Sequence, residues 1–230
     1  VSGYSGYWSQ LRGSAMEALA TSHRCVTVLF CDIIGFTAMC KQVSAMQVMR
    51  FLNTLYMRFD ELIDIYGVYK VETIGDCYMV AGGLVRTDGE GNKSVIGEGS
   101  EDALHAVRVM SFAKAIMREA AAVVLPTSGE PVQLRIGLHS GPVMSGIVGD
   151  KMPRFCLFGD TVNTASRMES TCPPGAIHVS SDTRALLSNE AWLPTGGVQV
   201  KGKGLLETYV WAGHSADEDE EAERRLKVYL

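Results

Sequence analysis

A chain of 230 residues with 47% apolar content is long enough to bury a sizeable core, as one large domain or two small ones. Its formal charge of −5 argues against an electrostatic nucleic-acid binder, and no apolar run approaches a membrane span or a signal peptide. Six cysteines, at Cys25, Cys31, Cys40, Cys77, Cys156 and Cys172, form no Cys-x-x-Cys pair, which speaks against a zinc site and a disulfide framework.

Residues 1–23 lack periodicity and read as a leader or linker. Val26 to Asp32 is a compact apolar run ending on an acid, which predicts a buried strand; Ile33 to Thr37 then turns the chain. From Ser44, apolar residues recur at Val48, Met49, Leu52, Leu55, Tyr56, Phe59, Leu62, Ile63 and Tyr66, the spacing of one helical face, and Gly67 closes it. Tyr69 to Gly82 reads as two strands joined by a tight turn at Gly75-Asp76. Residues 86–101 are polar and glycine-containing and read as a surface loop. Ser100, with Glu101 and Asp102 behind it, opens a second helix whose buried side holds Leu104, Val107, Met110 and Ile116 or Met117.

Val132 to His139 alternates as a strand; Ser140-Gly-Pro142 turns the chain and Val143 to Val148 returns it. Phe155 to Phe158 is a short strand, and Gly159 to Glu169 a helix that stops before Pro173-Pro174. A strand at Ile177–Ser180, a helix near Asp182–Leu187 and a strand pair around Gln199 and Tyr209 follow. Residues 213–230 form an acidic tail. The order strand–helix–strand–strand–helix–strand predicts an α+β fold, a ferredoxin-like βαββαβ core with extra C-terminal strands and helices. Helices are expected on one face of a mostly antiparallel sheet.

Buried cysteines in strand-like runs, at Cys31, Cys77 and Cys156, suit a reducing, cytoplasmic setting, including that of the cytosolic part of a larger protein. The chemistry concentrates on acids at strand ends. Strands 26–32 and 68–74 are joined by a helix, so if paired they run parallel, and their carboxyl ends share one sheet edge. Asp32 ends the first and Asp76 follows the second across its turn. Two carboxylates there repel unless a cation lies between them, and an oxygen-rich site suits Mg²⁺ or Mn²⁺. The plainer account, in which Asp32 caps a turn and Asp76 is a turn acid, stays open on pattern alone. Asn163 and Arg167, four apart, share a helix face, where Arg can stabilise a transferring phosphoryl group. Lys201-Gly-Lys203-Gly204 resembles a phosphate-contacting loop, although a basic turn between strands looks the same. His139 reads as a satisfied structural histidine.

Four blocks together carry a family likeness. Phe30-Cys-Asp-Ile-Ile-Gly-Phe-Thr37, Lys70-Val-Glu-Thr-Ile-Gly-Asp-Cys-Tyr-Met79, Gly137-Leu-His-Ser-Gly-Pro142 and Cys156-Leu-Phe-Gly-Asp-Thr-Val-Asn-Thr-Ala-Ser-Arg167 resemble the signature blocks of class III nucleotidyl cyclases. The nearer likeness is to the catalytic domain of eukaryotic soluble and receptor guanylate cyclases, over roughly residues 24–212. The resemblance implies the class III cyclase fold and conversion of GTP to 3′,5′-cyclic GMP and pyrophosphate with two Mg²⁺ or Mn²⁺ ions. It implies metal binding by Asp32, Asp76 and the carbonyl of Ile33, transition-state contacts from Asn163 and Arg167, and phosphate contacts from Lys201 and Lys151. Relatives often carry Arg at the last position, so a bidentate contact becomes a point charge.

It further implies a head-to-tail dimer, homo- or heterodimeric, with sites at the interface. Asp32, Asp76 and Lys151 would come from one chain and Glu72, Cys156, Asn163, Arg167 and Lys201 from the other. A regulatory sensor domain in a longer parent protein is expected too. Base choice rests on Glu72 and Cys156. A carboxylate accepts from both adjacent donors of the guanine edge, whereas adenine presents a bare ring nitrogen there. Similar adenylate cyclases carry Lys and Asp at these two positions. An adenylate cyclase, and an inactive nucleotide-binding partner of another cyclase chain, are the alternatives; retention of both the paired aspartates and the Asn163/Arg167 pair favours an active enzyme.

Overall fold

The computed structural model describes residues 20–87, 93–149, 151–200 and 202–213. The expected acidic tail and most of the leader, with Lys201, lie outside these residues.

The first strand, β1 (Thr21–Ile33), starts earlier than the expected Val26. A short helix α1 (Phe36–Cys40) turns the chain into α2 (Ala45–Tyr66). The α2 start is fixed by a capping box: Gln47 N donates to Ser44 Oγ at 3.3 Å and Ser44 N donates to Gln47 Oε1 at 3.0 Å. Gly67, left-handed at φ 60°, ends it as expected. Its buried side is Phe51, Leu55, Phe59, Ile63 and Tyr66, while Met49, placed on that face by periodicity, is 68% exposed.

Strands β2 (Tyr69–Ile74) and β3 (Cys77–Gly82) form the expected hairpin. Gly75, at φ 63°, takes the first central position of the two-residue turn, where a II′ hairpin demands glycine. Part of the expected surface loop 86–101 is instead a small hairpin of β4 (Val85–Thr87) and β5 (Lys93–Val95). Helix α3 (His105–Ala121) starts later than Ser100, because Asp102 Oδ1 accepts from Leu104 N at 3.0 Å and shapes a turn just before it.

The largest departure follows. Ser140-Gly-Pro142 does not turn the chain, and β6 (Leu134–Val148) runs straight through it. The irregularity lies on the partner strand. β1 shifts register between His23 and Val26, so Arg24 and Cys25 bulge opposite Pro142, which has no N–H to contribute to the ladder. The return strand is β7 (Arg154–Phe158). Then come α4 (Asp160–Ser170), β8 (Ala176–Ser180), α5 (Ser181–Leu186), β9 (Trp192–Pro194), β10 (Val198–Val200), β11 (Gly204–Leu206) and β12 (Thr208–Trp211). Gln199 and Tyr209 do not pair with one another: β10 pairs with β11, and β12 joins the main sheet between β8 and β9.

The main sheet has the order β2-β3-β1-β6-β8-β12-β9, with β7 on β6. Its first four strands, with α2 and α3, are the ferredoxin-like βαββαβ core. Strand alternation splits the core in two. Leu29, Cys31, Ile33, Tyr78, Val80, Ile136 and Leu138 face α2 and α3. Val28, Phe30, Met79 and Ala81 face the other way, onto Val162 and Ala165 of α4 and Phe155 and Leu157 of β7. Helices thus cover both faces rather than the one expected. His139 is buried with its ring Nδ1 2.7 Å from Ser180 Oγ, as a satisfied structural histidine should be. All six cysteines are free. Among the described residues no helix is long and apolar enough to cross a membrane.

Candidate active site

The sheet edge where β1 ends and the β2–β3 turn begins collects the acids. β1 and β2 are not paired, as the sequence reading had allowed; β3 lies between them, antiparallel to both. They therefore still run parallel to one another, and Asp32 and Asp76 arrive at the same edge. Their carboxyl groups lie close enough for the charge of one to disfavour ionisation of the other. Partial burial, then the charge of Asp32, pushes the Asp76 carboxyl up to about 6.

Two residues that sequence reasoning passed over complete the cluster. Arg135 stands directly opposite Asp32 in the β1–β6 register, and its Nη2 donates to Asp32 Oδ2 at 2.5 Å. Glu169, from the last turn of α4, brings Oε1 to 3.3 Å from Arg135 Nε. Burial, then the Asp32 charge, pushes Glu169 up to about 7. The signal for Arg135 was present: a lone cation within the apolar strand Val132–His139. Glu169 gave none, because its place depends on α4 lying across β6. That approach requires Gly137, where an added Cβ would stand 1.9 Å from Glu169 N.

The hairpin bearing Asp76 is tied to α2. Asp60 accepts from Tyr78 Oη and, at 2.7 Å, from Lys70 Nζ, while Tyr56 Oη donates to the Gly75 carbonyl at 3.4 Å. On the same hairpin, β2 carries a bulge. Lys70 pairs with Val80 but Glu72 pairs with Met79, leaving Val71 as the extra residue. Uninterrupted pairing would set Glu72 opposite Tyr78, towards α2 and α3. The bulge moves it to the Met79 face, where it is exposed. Strand β7, which carries half-buried Cys156, meets β2 through the edge-on Tyr69–Phe155 pair at 5.5 Å.

Lys151 is exposed between β6 and β7. Asn163 and Arg167 are both exposed on α4, and their side chains make no hydrogen bond or ion pair with another described residue. They are thus on the surface and not joined to the aspartates within this chain. The second lysine of the basic turn, Lys203, is engaged: its Nζ pairs with Asp160 in the first turn of α4 and lies 3.3 Å from Thr164 Oγ1.

The donor set fits a hard divalent cation. Two crowded carboxylates, one held back from ionising by the other, are what such an ion relieves. Among the described residues no group of three or more His, Cys, Asp or Glu side chains is arranged to hold a metal.

Crowding has a measurable cost. Asp76 binds its proton more tightly folded, at about 6, than at its ordinary 3.8, so its charge destabilises the fold above pH 6 and ceases to do so as pH falls towards 3.8. In buffer free of divalent ions, Asp76→Asn should raise stability at pH 8 by about 1 kcal/mol, with solvent screening taken into account. Thermal melts from pH 8 to pH 4 should show that gain shrinking to nothing. A gain that is constant with pH, or absent at pH 8, would contradict the crowding.

The family model described as the adenylate and guanylate cyclase catalytic domain matches residues 19–213. The chain is 43% identical over 215 residues to the human guanylate cyclase soluble subunit beta-2, covering 92% of this chain and 32% of that protein. It is 46% identical over 208 residues to the receptor-type guanylate cyclase gcy-28 of Caenorhabditis elegans, covering 89% of this chain and 15% of the relative. It therefore spans a third or less of these curated relatives. Among solved structures, the guanylate cyclase domain of RhGC from Catenaria anguillulae in complex with GTP superposes with a TM-score of 0.73 at 38% identity, over 85% of this chain and 100% of that one.

Proposed function

Because this chain belongs to the family of adenylate and guanylate cyclase catalytic domains, we propose that it converts GTP to 3′,5′-cyclic GMP and pyrophosphate at sites shared between two chains. The observation that carries the reading is the crowded Asp32–Asp76 pair at one sheet edge, in a chain whose Glu72 is turned to the exposed face by a bulge. Residues 24–212 are the catalytic unit in this reading.

In the reaction, the ribose 3′-oxygen forms a bond to the α-phosphorus, the bond to the β-phosphate oxygen breaks, and pyrophosphate leaves with that electron pair. The hydroxyl proton passes to solvent or to a phosphate oxygen. Asp32, Asp76 and the Ile33 carbonyl would hold two Mg²⁺ or Mn²⁺ ions, which when bound acidify the hydroxyl and neutralise the triphosphate. Exposed Asn163 and Arg167 reach across to a second copy's aspartates and stabilise charge on the transferring group. Lys151, with Lys201, neutralises the departing pyrophosphate. Glu72 accepts from the guanine ring N–H and its exocyclic amine, and Cys156 offers its thiol to the carbonyl oxygen. Adenine would leave the Glu72 carboxylate facing a lone pair, a mismatch worth several orders of magnitude in selectivity.

The test is product formation by the purified chain in Mn²⁺ with GTP and ATP side by side at several protein concentrations. Cyclic GMP should dominate, with specific activity rising with concentration as dimers form. Glu72→Lys with Cys156→Asp should shift the preference towards ATP by roughly 100-fold or more. Silence with both nucleotides, from folded and dimeric protein, would replace this reading with that of a nucleotide-binding regulatory partner.

A further inference from the structure

The Arg135 guanidinium stands between two carboxylates and is hydrogen-bonded to only one of them. Nη2 donates to Asp32 at 2.5 Å, while Nε faces Glu169 Oε1 at 3.3 Å without the alignment of a hydrogen bond. Both Arg135 Nε and Glu169 Oε1 are buried atoms left without a partner, among only four such side-chain atoms in the described residues. A buried donor and a buried acceptor in ion contact that make no hydrogen bond form an unusual pair, because a buried hydrogen bond left unmade is costly. A small rotation of the guanidinium towards α4 would join them. The same rotation would lengthen its bond to Asp32.

From this we infer that Arg135 is a positioning residue that passes from Asp32 to Glu169 when a divalent cation takes Asp32. The inference rests on the reading of Asp32 as a metal ligand and adds to it the fate of the group that occupies the ligand oxygen. A cation arriving at Asp32 Oδ2 competes with Nη2 for the same lone pairs and repels the guanidinium. Without a second acceptor, the displaced Arg135 would be a half-buried cation with no carboxylate partner, and that penalty would count against metal binding. Glu169 removes the penalty. Arginine suits the role better than lysine, since its planar fork reaches two carboxylates at once. Gly137 holds the geometry, because its missing side chain lets the backbone of Glu169 lie over the strand that bears Arg135.

The test is equilibrium binding of Mn²⁺ at pH 8, read from the electron paramagnetic resonance signal of the free ion, for the intact chain and its variants. Glu169→Gln should weaken Mn²⁺ binding about 5–10-fold, since Arg135 then has only Asp32. Arg135→Gln should tighten it, and in that background Glu169→Gln should have little further effect. Loss of a nearby negative charge would also weaken binding in the single variant, but it would do so equally with Arg135 absent. Independent, additive effects, or weaker binding in Arg135→Gln, would overturn the exchange.

A second measurement needs no variant that could fail to fold. In the wild-type chain, titration with Mg²⁺ should slow solvent exchange of the Arg135 Nε–H proton in step with metal saturation, as it gains Glu169. An unchanged exchange rate at saturation would also overturn it. Asp32→Asn separates the two levels: if Mn²⁺ affinity does not fall in that variant, the metal-ligand reading itself is wrong, whatever Arg135 does.

Discussion

Chains carrying Asp76→Ala or Arg167→Ala should each lose turnover by about 100-fold or more, since one lacks a metal carboxylate and the other a cation at the transferring group. Mixed in equal amounts they should recover roughly a quarter of wild-type specific activity, because half the dimers are then mixed and each holds one intact site of two. The reasoning comes from placement. Asp76 lies at the sheet edge beside Asp32, whereas Arg167 is exposed on α4 with no described partner in its own chain. A mixed dimer therefore collects both damaged residues in one site and leaves the other whole. The readout is cyclic GMP formed by each chain and by the mixture, with dimer formation followed by sedimentation. Failure of the mixture to exceed its components, with mixed dimers present, would mean that each site takes Asp76 and Arg167 from one and the same chain, and would overturn the shared site.

The second large effect belongs to a residue with no side chain. Gly137→Ala should destabilise the fold by about 3 kcal/mol or more. Its new Cβ would stand 1.9 Å from Glu169 N and 2.5 Å from Glu169 Cα, backbone atoms that cannot swing aside. Helix α4 must then lift from β6, moving Glu169 relative to Arg135 and moving the Asn163/Arg167 surface with it. A variant that survives folding should be nearly inactive. The control is Gly97→Ala, where the built Cβ meets nothing within 4 Å; it should stay within about 0.5 kcal/mol of wild type. Chemical denaturation of the two variants decides the matter, and equal stabilities would show that α4 is free to shift.

The sequence by itself determined the features that rest on local chemistry or on connectivity. Ser44 marked one helix end and Gly67 the other, since helix ends depend on neighbouring backbone; the reciprocal bond with Gln47 came only with the structure. Gly75-Asp76 announced a hairpin because φ 63° is open to glycine. The meeting of Asp32 and Asp76 was also legible, even though the expected direct pairing was not the means. A helical crossover makes two strands parallel whether they are neighbours or separated by β3, so their ends reach one edge in either case.

What only the tertiary structure decided were features set by partners far along the chain. Ser140-Gly-Pro142 has the composition of a turn, but β1 bulges opposite the proline and the strand continues. The face of Glu72 depends on one extra residue, Val71, in its pairing with β3, and a local pattern of alternating side chains does not register such a slip. Arg135 faces Asp32 because the β1–β6 register sets them opposite, and Glu169 reaches them because Gly137 admits a backbone where any side chain would exclude it. In each case the deciding energy is a contact between segments distant in sequence, and neither segment's composition encodes the other's position.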